Sequence, residues 1–159
     1  MVRAAPLSIL VLSVAVVGAA LLSQYWGGLL PCELCLYERW PYYAVALLAL
    51  FAVAVGRRNT SRAALALAGL VFVAGAALAF YHAGVEWHWF AGPTACTGLA
   101  LDTSSVAALR VQLLATPPVR CDAVQWSLFG ISLAGWNFVA SVILAALSWA
   151  AVTRLRQAA

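Results

Sequence analysis

The stretch Ala63–Tyr81 reads AALALAGLVFVAGAALAFY, nineteen residues without a single charge. A helix that crosses the ~30 Å hydrocarbon core of a bilayer needs about 20 predominantly apolar residues. Only a helix satisfies its own backbone polar groups within one segment in that medium. Three further stretches have the same character: Pro6–Trp26, Pro41–Gly56 and about Ile131–Val152. The rest of the composition agrees. Of 159 residues, 65% are apolar and 9% charged, against roughly 45–50% and about 25% for an ordinary soluble domain. The expectation is an all-α, four-transmembrane-helix bundle, one integral membrane domain over residues 1–159 with spans at about 6–26, 41–56, 63–81 and 131–152. A soluble catalytic domain has no room. The net charge of +4 does not point to nucleic acid, because the Arg residues stand singly or in short groups between apolar runs and form no phosphate-tracking surface.

The Arg residues instead orient the chain. Arg3, Arg57, Arg58, Arg62, Arg154 and Arg156 lie in segments that hold no acid, and mark the cytoplasmic side. The opposite face carries Arg39, Arg110 and Arg120 against Glu33, Glu38, Glu86, Asp102 and Asp122. Both termini are then cytoplasmic, as an even number of spans requires. Tyr25, Trp26, Tyr37, Trp40, Tyr42, Tyr43, Tyr81, Trp87, Trp89, Trp126 and Trp136 cluster near the outer span ends, where amphipathic rings favour the headgroup layer. The first span has some features of a cleaved signal peptide, but its apolar run continues to Trp26, which suits a retained helix better. The long outer loop, about residues 82–130, contains a stretch from Asp102 to Ala115 with Val106, Leu109 and Leu113 at helical spacing, a short amphipathic helix stopped by Pro117 and Pro118.

All four cysteines fall on that outer side: Cys32, Cys35, Cys96 and Cys121. An oxidising compartment is where disulfides persist. Cys32-Glu33-Leu34-Cys35 is a C-x-x-C, whose thiols one helical turn apart can close and reopen a small ring. Cys96 and Cys121 enclose 24 residues and make a plausible long loop. Loop closure would stabilise the long ring by ~3–4 kcal/mol in the chain-entropy account and the short ring by less, so the C-x-x-C is the better site for reversible redox work. Haem attachment is excluded because Leu36, not His, follows Cys35. Zinc is disfavoured for want of a second close ligand pair, and no metal is expected. Two purely structural disulfides remain the bland alternative.

Span two counted from Pro41 to Gly56 has 16 residues, or ~24 Å at about 1.5 Å per residue, too short for the core. Its helix is therefore expected to extend back to about residue 32, with Pro31 in the first turn. That start places both cysteines at the positive helix end, which favours thiolate, and holds them at the membrane surface. Arg39, four residues after Cys35, would lie on the same face one turn deeper. At that depth a lone Arg is costly unless it serves something: the Cys35 thiolate, an anionic oxygen of an electron acceptor, or an ion pair with Glu38 or Glu86. Pro41 biases Trp40 away from the α region, so a kink is expected between the cysteine turn and the main span. His82 ends span three at the same outer depth, Glu86 and His88 read as loop residues, and Asn137 is expected to bond between helices. Gly69, Ala74 and Gly75 read as close helix packing.

The run Pro31-Cys32-Glu33-Leu34-Cys35-Leu36-Tyr37-Glu38-Arg39-Trp40-Pro41-Tyr42-Tyr43, then Tyr81-His82, the Cys96 and Cys121 pair, and Trp126 with Leu128-Phe129-Gly130 resembles the disulfide-bond-formation protein B (DsbB) family over nearly the whole chain. The vitamin K epoxide reductase-like family also has four helices and two cysteine pairs, but there the loop pair precedes the C-x-x-C. The resemblance implies a bacterial inner-membrane thiol oxidase. It would reoxidise a periplasmic thioredoxin-fold dithiol protein (DsbA-like) and pass electrons to ubiquinone or menaquinone, a route known to keep the periplasm oxidising. By the family pattern Cys96 takes the partner's thiolate, Cys121 resolves by exchange with Cys32, and Cys35 delivers the electron pair beside Arg39, with His82 lining the quinone pocket. A relative dedicated to one particular partner, and a non-catalytic membrane protein braced by disulfides, are the competing readings.

Overall fold

The protein was analysed as a computed structural model, which describes residues 2–93, 105–107, 110 and 119–157. The helices are α1 (Ala4–Tyr25), α2 (Glu33–Tyr37), α3 (Trp40–Val55), α4 (Arg58–Glu86) and α5 (Leu133–Gln157), with a two-stranded hairpin, β1 (Ser127–Leu128) and β2 (Ile131–Ser132), leading into α5. Four segments are long and apolar enough to cross a membrane: α1, α2 with α3 taken as Glu33–Val55, α4 and α5. α4 packs most extensively on α5 and also on α3, and α3 packs on α1.

The faces turned away from the bundle are as apolar as those within it. Leu47 is 69% exposed and Phe51 60%, with Val11, Leu70 and Ile143 also outward. In water such surface would be a liability; against lipid tails it costs nothing. Association must then come from close packing and hydrogen bonding. The core is accordingly built on small residues around a few large ones: Ala68, Ala145, Val45 and Leu65 surround Tyr42 and Phe72, whose rings meet edge-on at 5.5 Å. The Ser13 and Ser148 hydroxyls donate to Ile9 O and Leu144 O one turn back, at 2.8 and 2.7 Å.

Two of the three expected packing residues do close helix contacts. A Cβ on Gly69 would strike the Trp149 indole, and one on Gly75 would sit 3.1 Å from the Pro41 ring. Ala74, by contrast, is exposed, and Ala76 takes the buried position two residues on. Gly69→Ala is expected to destabilise the bundle by about 1–3 kcal/mol, the usual range for overpacking. The thermal midpoint of the detergent-solubilised protein would report this, and an unchanged midpoint would mean that Trp149 swings aside freely.

The expected kink is a full interruption. Pro41 has no N–H to donate to Tyr37 O, and its ring would press on that carbonyl; α2 ends at Tyr37. A tightened turn, Arg39 N–H to Leu36 O at 3.2 Å, carries the chain across, and α3 restarts at Trp40 with Pro41 in its first turn. Trp40 is helical despite the bias against that conformation before proline. The other end of α3 is capped by Gly56 at φ 66, and the Arg3 guanidinium lies where a Cβ would be, so only glycine fits there.

α4 is longer than the apolar run Ala63–Tyr81 suggests. Arg58 and Arg62 belong to its first turns and not to a loop, and Ala83, Gly84 and Val85 carry it on to Glu86. His82 and Glu86 are thus helical residues. Beyond them the chain folds back through His88 at φ 57, with Trp89 N–H bonding Gly84 O at 2.7 Å and the Phe90 ring stacked on Tyr81 at 5.8 Å. The hairpin was not expected. Its turn, Phe129 at φ 54 and Gly130 at φ 78, is of the type that matches strand twist. The amphipathic helix expected over Asp102–Ala115 lies mostly outside the described residues.

Candidate functional site

Cys32 caps α2 from an extended backbone (φ −74, ψ 173). Its Sγ accepts the Cys35 N–H at 3.2 Å and lies 2.7 Å from Cys35 Sγ. Both are free thiols. Contact with the Cys35 thiol and that backbone N–H holds the Cys32 thiol below its ordinary range; burial and the nearby Glu38 work in the opposite direction without prevailing. The helix starts at Glu33, two residues later than Pro31, which was expected in its first turn and lies outside it; Cys32 is the cap and Cys35 stands in the first turn.

On the bundle side of the pair lies a chain of polar groups. Cys32 Sγ is 3.5 Å from His82 Nε2. His82 Nδ1 is 2.7 Å from Glu38 Oε1, and Asn137 Nδ2 donates to Glu38 Oε2 at 2.7 Å. Asn137 Oδ1 in turn accepts from the Tyr42 hydroxyl at 2.6 Å, and that hydroxyl is 2.9 Å from Ser141 Oγ. His82 is 2% exposed and Glu38 7%. A buried carboxylate needs partners on both oxygens, and Glu38 has them. An ionised Glu38 can only accept, so His82 Nδ1 would be the donor to it, and the other ring nitrogen, Nε2, faces the Cys32 sulfur. A neutral ring in that tautomer would be placed to act as a base towards the thiol.

Arg39 is not paired with Glu38 or Glu86. It caps the start of α3 and donates to Gln24 Oε1 of α1 at 2.8 Å. Its guanidinium lines a cavity of about 400 Å³ that also receives Cys32, Cys35, His82 and Glu86. Aliphatic residues of α1 and α5, among them Val16, Val17 and Ala140, line it, together with Trp126 and Trp136. Glu86 is half-buried, and one of its oxygens has no hydrogen-bond partner among the described residues; it ends α4 and is not the loop residue expected. His88 is exposed in the turn, as expected. Asn137 bonds between helices as expected, though its main partners are Glu38 and Tyr42.

Of the second cysteine pair, Cys96 lies outside the described residues. Cys121 is disulfide-bonded and 1% exposed, in a small cluster with Cys32, Leu34 and Val85. The loop that carries it is therefore docked on α2 and the end of α4, beside the dithiol. Arg120 and Asp122 flank it with a two-pronged ion pair at 2.8 and 2.6 Å.

The comparison with known families decides what this arrangement belongs to. The family profile described as Disulfide bond formation protein DsbB matches residues 2–151. The chain belongs to the DsbB family. Proteins named Disulfide bond formation protein B include one from Herminiimonas arsenicoxydans, 30% identical over 138 residues that cover 84% of each chain. Those named Disulfide bond formation protein B 2 include one from Pseudomonas syringae pv. syringae, 33% identical over 84% of this chain and 78% of the relative. Another, from Pseudomonas entomophila, is 33% identical over 94% and 91%. No solved structure matches the chain. Membership makes this a disulfide-forming membrane oxidoreductase.

Sequence reasoning found Cys32, Cys35, Arg39 and His82 but missed Glu38, Gln24 and Tyr42 as members of one assembly. For Glu38 a signal was present: an acid at membrane depth is a functional residue by default. Its partners, 44 and 99 residues away along the chain, had no local signature.

Proposed function

We propose that the protein is a bacterial inner-membrane thiol oxidase that regenerates the disulfide of a periplasmic, DsbA-like thioredoxin-fold protein and hands the electron pair to ubiquinone or menaquinone. Cys32, Cys35, Cys96 and Cys121 would then face the periplasm, with both termini in the cytoplasm. The observation that carries this reading is the position of a free dithiol on the wall of a largely apolar, half-open cavity between membrane-spanning helices. Its volume falls within the range of small-molecule sites, and its lining is mainly apolar with polar groups set among it.

The partner's thiolate would attack Cys96, forming a mixed disulfide that the partner's second thiol resolves. The Cys96–Cys121 dithiol so reduced is reoxidised by exchange with a Cys32–Cys35 disulfide, Cys121 engaging Cys32; the burial of Cys121 in one cluster with Cys32 supports that step. The dithiol left at Cys32 and Cys35 loses two electrons and two protons as its sulfurs bond again. A bound quinone would supply the two-electron, two-proton acceptor. Arg39, held by Gln24, would hydrogen-bond a carbonyl oxygen, the aliphatic wall of α1 would receive the ring, and His82 Nε2 would take the Cys32 proton.

The test is purified protein with a reduced thioredoxin-fold substrate and a soluble quinone analogue. Loss of the quinone absorbance in step with substrate thiols is expected; no bleaching would favour disulfides that merely brace the loop. Arg39→His is expected to raise the apparent quinone KM about tenfold to a hundredfold, the worth of a charged hydrogen bond of about 1.5–3 kcal/mol. Substrate oxidation at saturating quinone should change little. An unchanged quinone KM would remove Arg39 from the acceptor site.

A further inference from the structure

The sequence alone disfavours a metal because no second close ligand pair accompanies the C-x-x-C, but the fold supplies a third ligand from α4. Cys32 Sγ, Cys35 Sγ and His82 Nε2 all lie within 4.8 Å of one another. We propose that the reduced site is also a metal-binding centre: these three atoms take one zinc-type, thiophilic divalent cation, which holds the dithiol in a form unable to deliver electrons. The inference needs only the free dithiol and His82, and stands or falls apart from the quinone reading.

The geometry is close to what the ion requires. Zinc bonds of about 2.3 Å to sulfur and about 2.0–2.1 Å to nitrogen set a tetrahedral sulfur–nitrogen edge of roughly 3.6 Å and a sulfur–sulfur edge of roughly 3.8 Å. The Cys32–His82 edge is already 3.5 Å. The sulfurs, 2.7 Å apart, must separate by about an ångström, within the reach of one cysteine side-chain rotation. The fourth vertex is left to the cavity, the open position that distinguishes three-ligand sites from closed structural ones.

The surroundings of His82 are those of a metal ligand. Metal-bound histidines characteristically donate their other ring N–H to a carboxylate that is itself hydrogen-bonded, and His82 does so to Glu38, which Asn137 holds in turn. Binding is balanced in charge: two thiols release two protons to solvent, and the two thiolates neutralise the dication. Arg39, Arg120 and Glu86, the other charged groups on the cavity wall, are not needed as ligands. Disulfide formation removes two of the three donors, and the bound ion keeps the sulfurs from bonding, so metal and oxidation exclude each other.

The test uses tag-free full-length protein in detergent, reduced, stripped of quinone and kept anaerobic. Co²⁺ serves as the spectroscopic probe, and Zn²⁺ affinity is read against a chromogenic chelator. One equivalent of Co²⁺ is expected, with thiolate-to-cobalt charge transfer and intense tetrahedral ligand-field bands that Zn²⁺ abolishes; oxidised protein should show neither. Glu38→Gln is expected to weaken Zn²⁺ binding about 10–100-fold and His82→Ala by at least as much, while Cys35→Ser diminishes the charge-transfer band. Absence of that band, or His82→Ala protein with wild-type Zn²⁺ affinity, overturns the proposal. Should His82→Ala fail to fold, the Glu38→Gln affinity and the cobalt spectrum of the wild type decide it. Quinone bleaching by metal-free protein reports the oxidase reading separately.

Discussion

Cys35→Ser is expected to bring substrate-coupled quinone reduction down to the uncatalysed background. Serine matches the size of cysteine and preserves the Cys35 N–H to Cys32 Sγ hydrogen bond, so the turn should survive, yet a hydroxyl cannot share a disulfide. Every exchange step of the proposed relay is thiolate attack on a disulfide sulfur, and the last step re-forms the Cys32–Cys35 bond as the quinone takes the electron pair; with one sulfur gone from the cavity wall the pair has no exit. Cys32→Ala should be equally inactive for a different reason, the loss of the sulfur that exchanges with Cys121. Quinone absorbance and titration of substrate thiols measure both variants. Turnover surviving in Cys35→Ser would move the electron exit away from the cavity and remove the main support for the proposed function.

The second large effect is expected at Glu38. With a carboxylate on Nδ1, the His82 ring keeps its proton there and offers Nε2 to the Cys32 thiol. Glu38→Gln permits the opposite tautomer, with the amide donating to Nδ1 and a proton placed on Nε2, facing the sulfur that has to lose one. General-base contributions of this kind are worth about 10²–10⁴ in rate, and we expect a fall of about 10²-fold in dithiol oxidation, with the quinone KM little changed. His82→Ala should fall comparably, and the double variant hardly further, because residues acting as one unit are not additive. Single-turnover oxidation of reduced protein measures this, with thermal midpoints to show that the bundle is intact. A Glu38→Gln rate within about twofold of wild type would mean that the pair is architectural and that the thiol proton leaves by another route.

How much of this could be read beforehand follows from where the information resides. The spans were legible because hydrocarbon imposes one local rule, and a run such as Ala63–Tyr81 meets it without help from any distant residue. Their ends were less so: α4 runs on to Glu86 because the buried packing of Ala83, Gly84 and Val85 overrides the poor helix propensity of Gly84, a matter that apolar counting does not register. The interruption before α3 was readable, since proline acts on a carbonyl four residues back. The dithiol and Arg39 were readable because their spacing is local. The Glu38–His82–Asn137 assembly was not, because its members, each noticeable alone, are 44 and 99 residues apart and nothing local joins them. Of the roles open to Arg39, the ion pair with Glu38 or Glu86 is not formed: Glu38 is engaged by His82 and Asn137, and the guanidinium donates to Gln24 on α1. The hairpin at Ser127–Ser132 has two-residue strands, too short for any alternation to show.

The break at Pro41 has a mechanical consequence. Because Pro41 can give no N–H to Tyr37 O, the five-residue turn bearing the two sulfurs joins its anchor through a tightened turn at Glu38 and Arg39 instead of an unbroken helical ladder. Were that turn to tilt, one sulfur would meet the docked loop and the other the greasy chamber, while the shaft below kept its packing on α1 and α4.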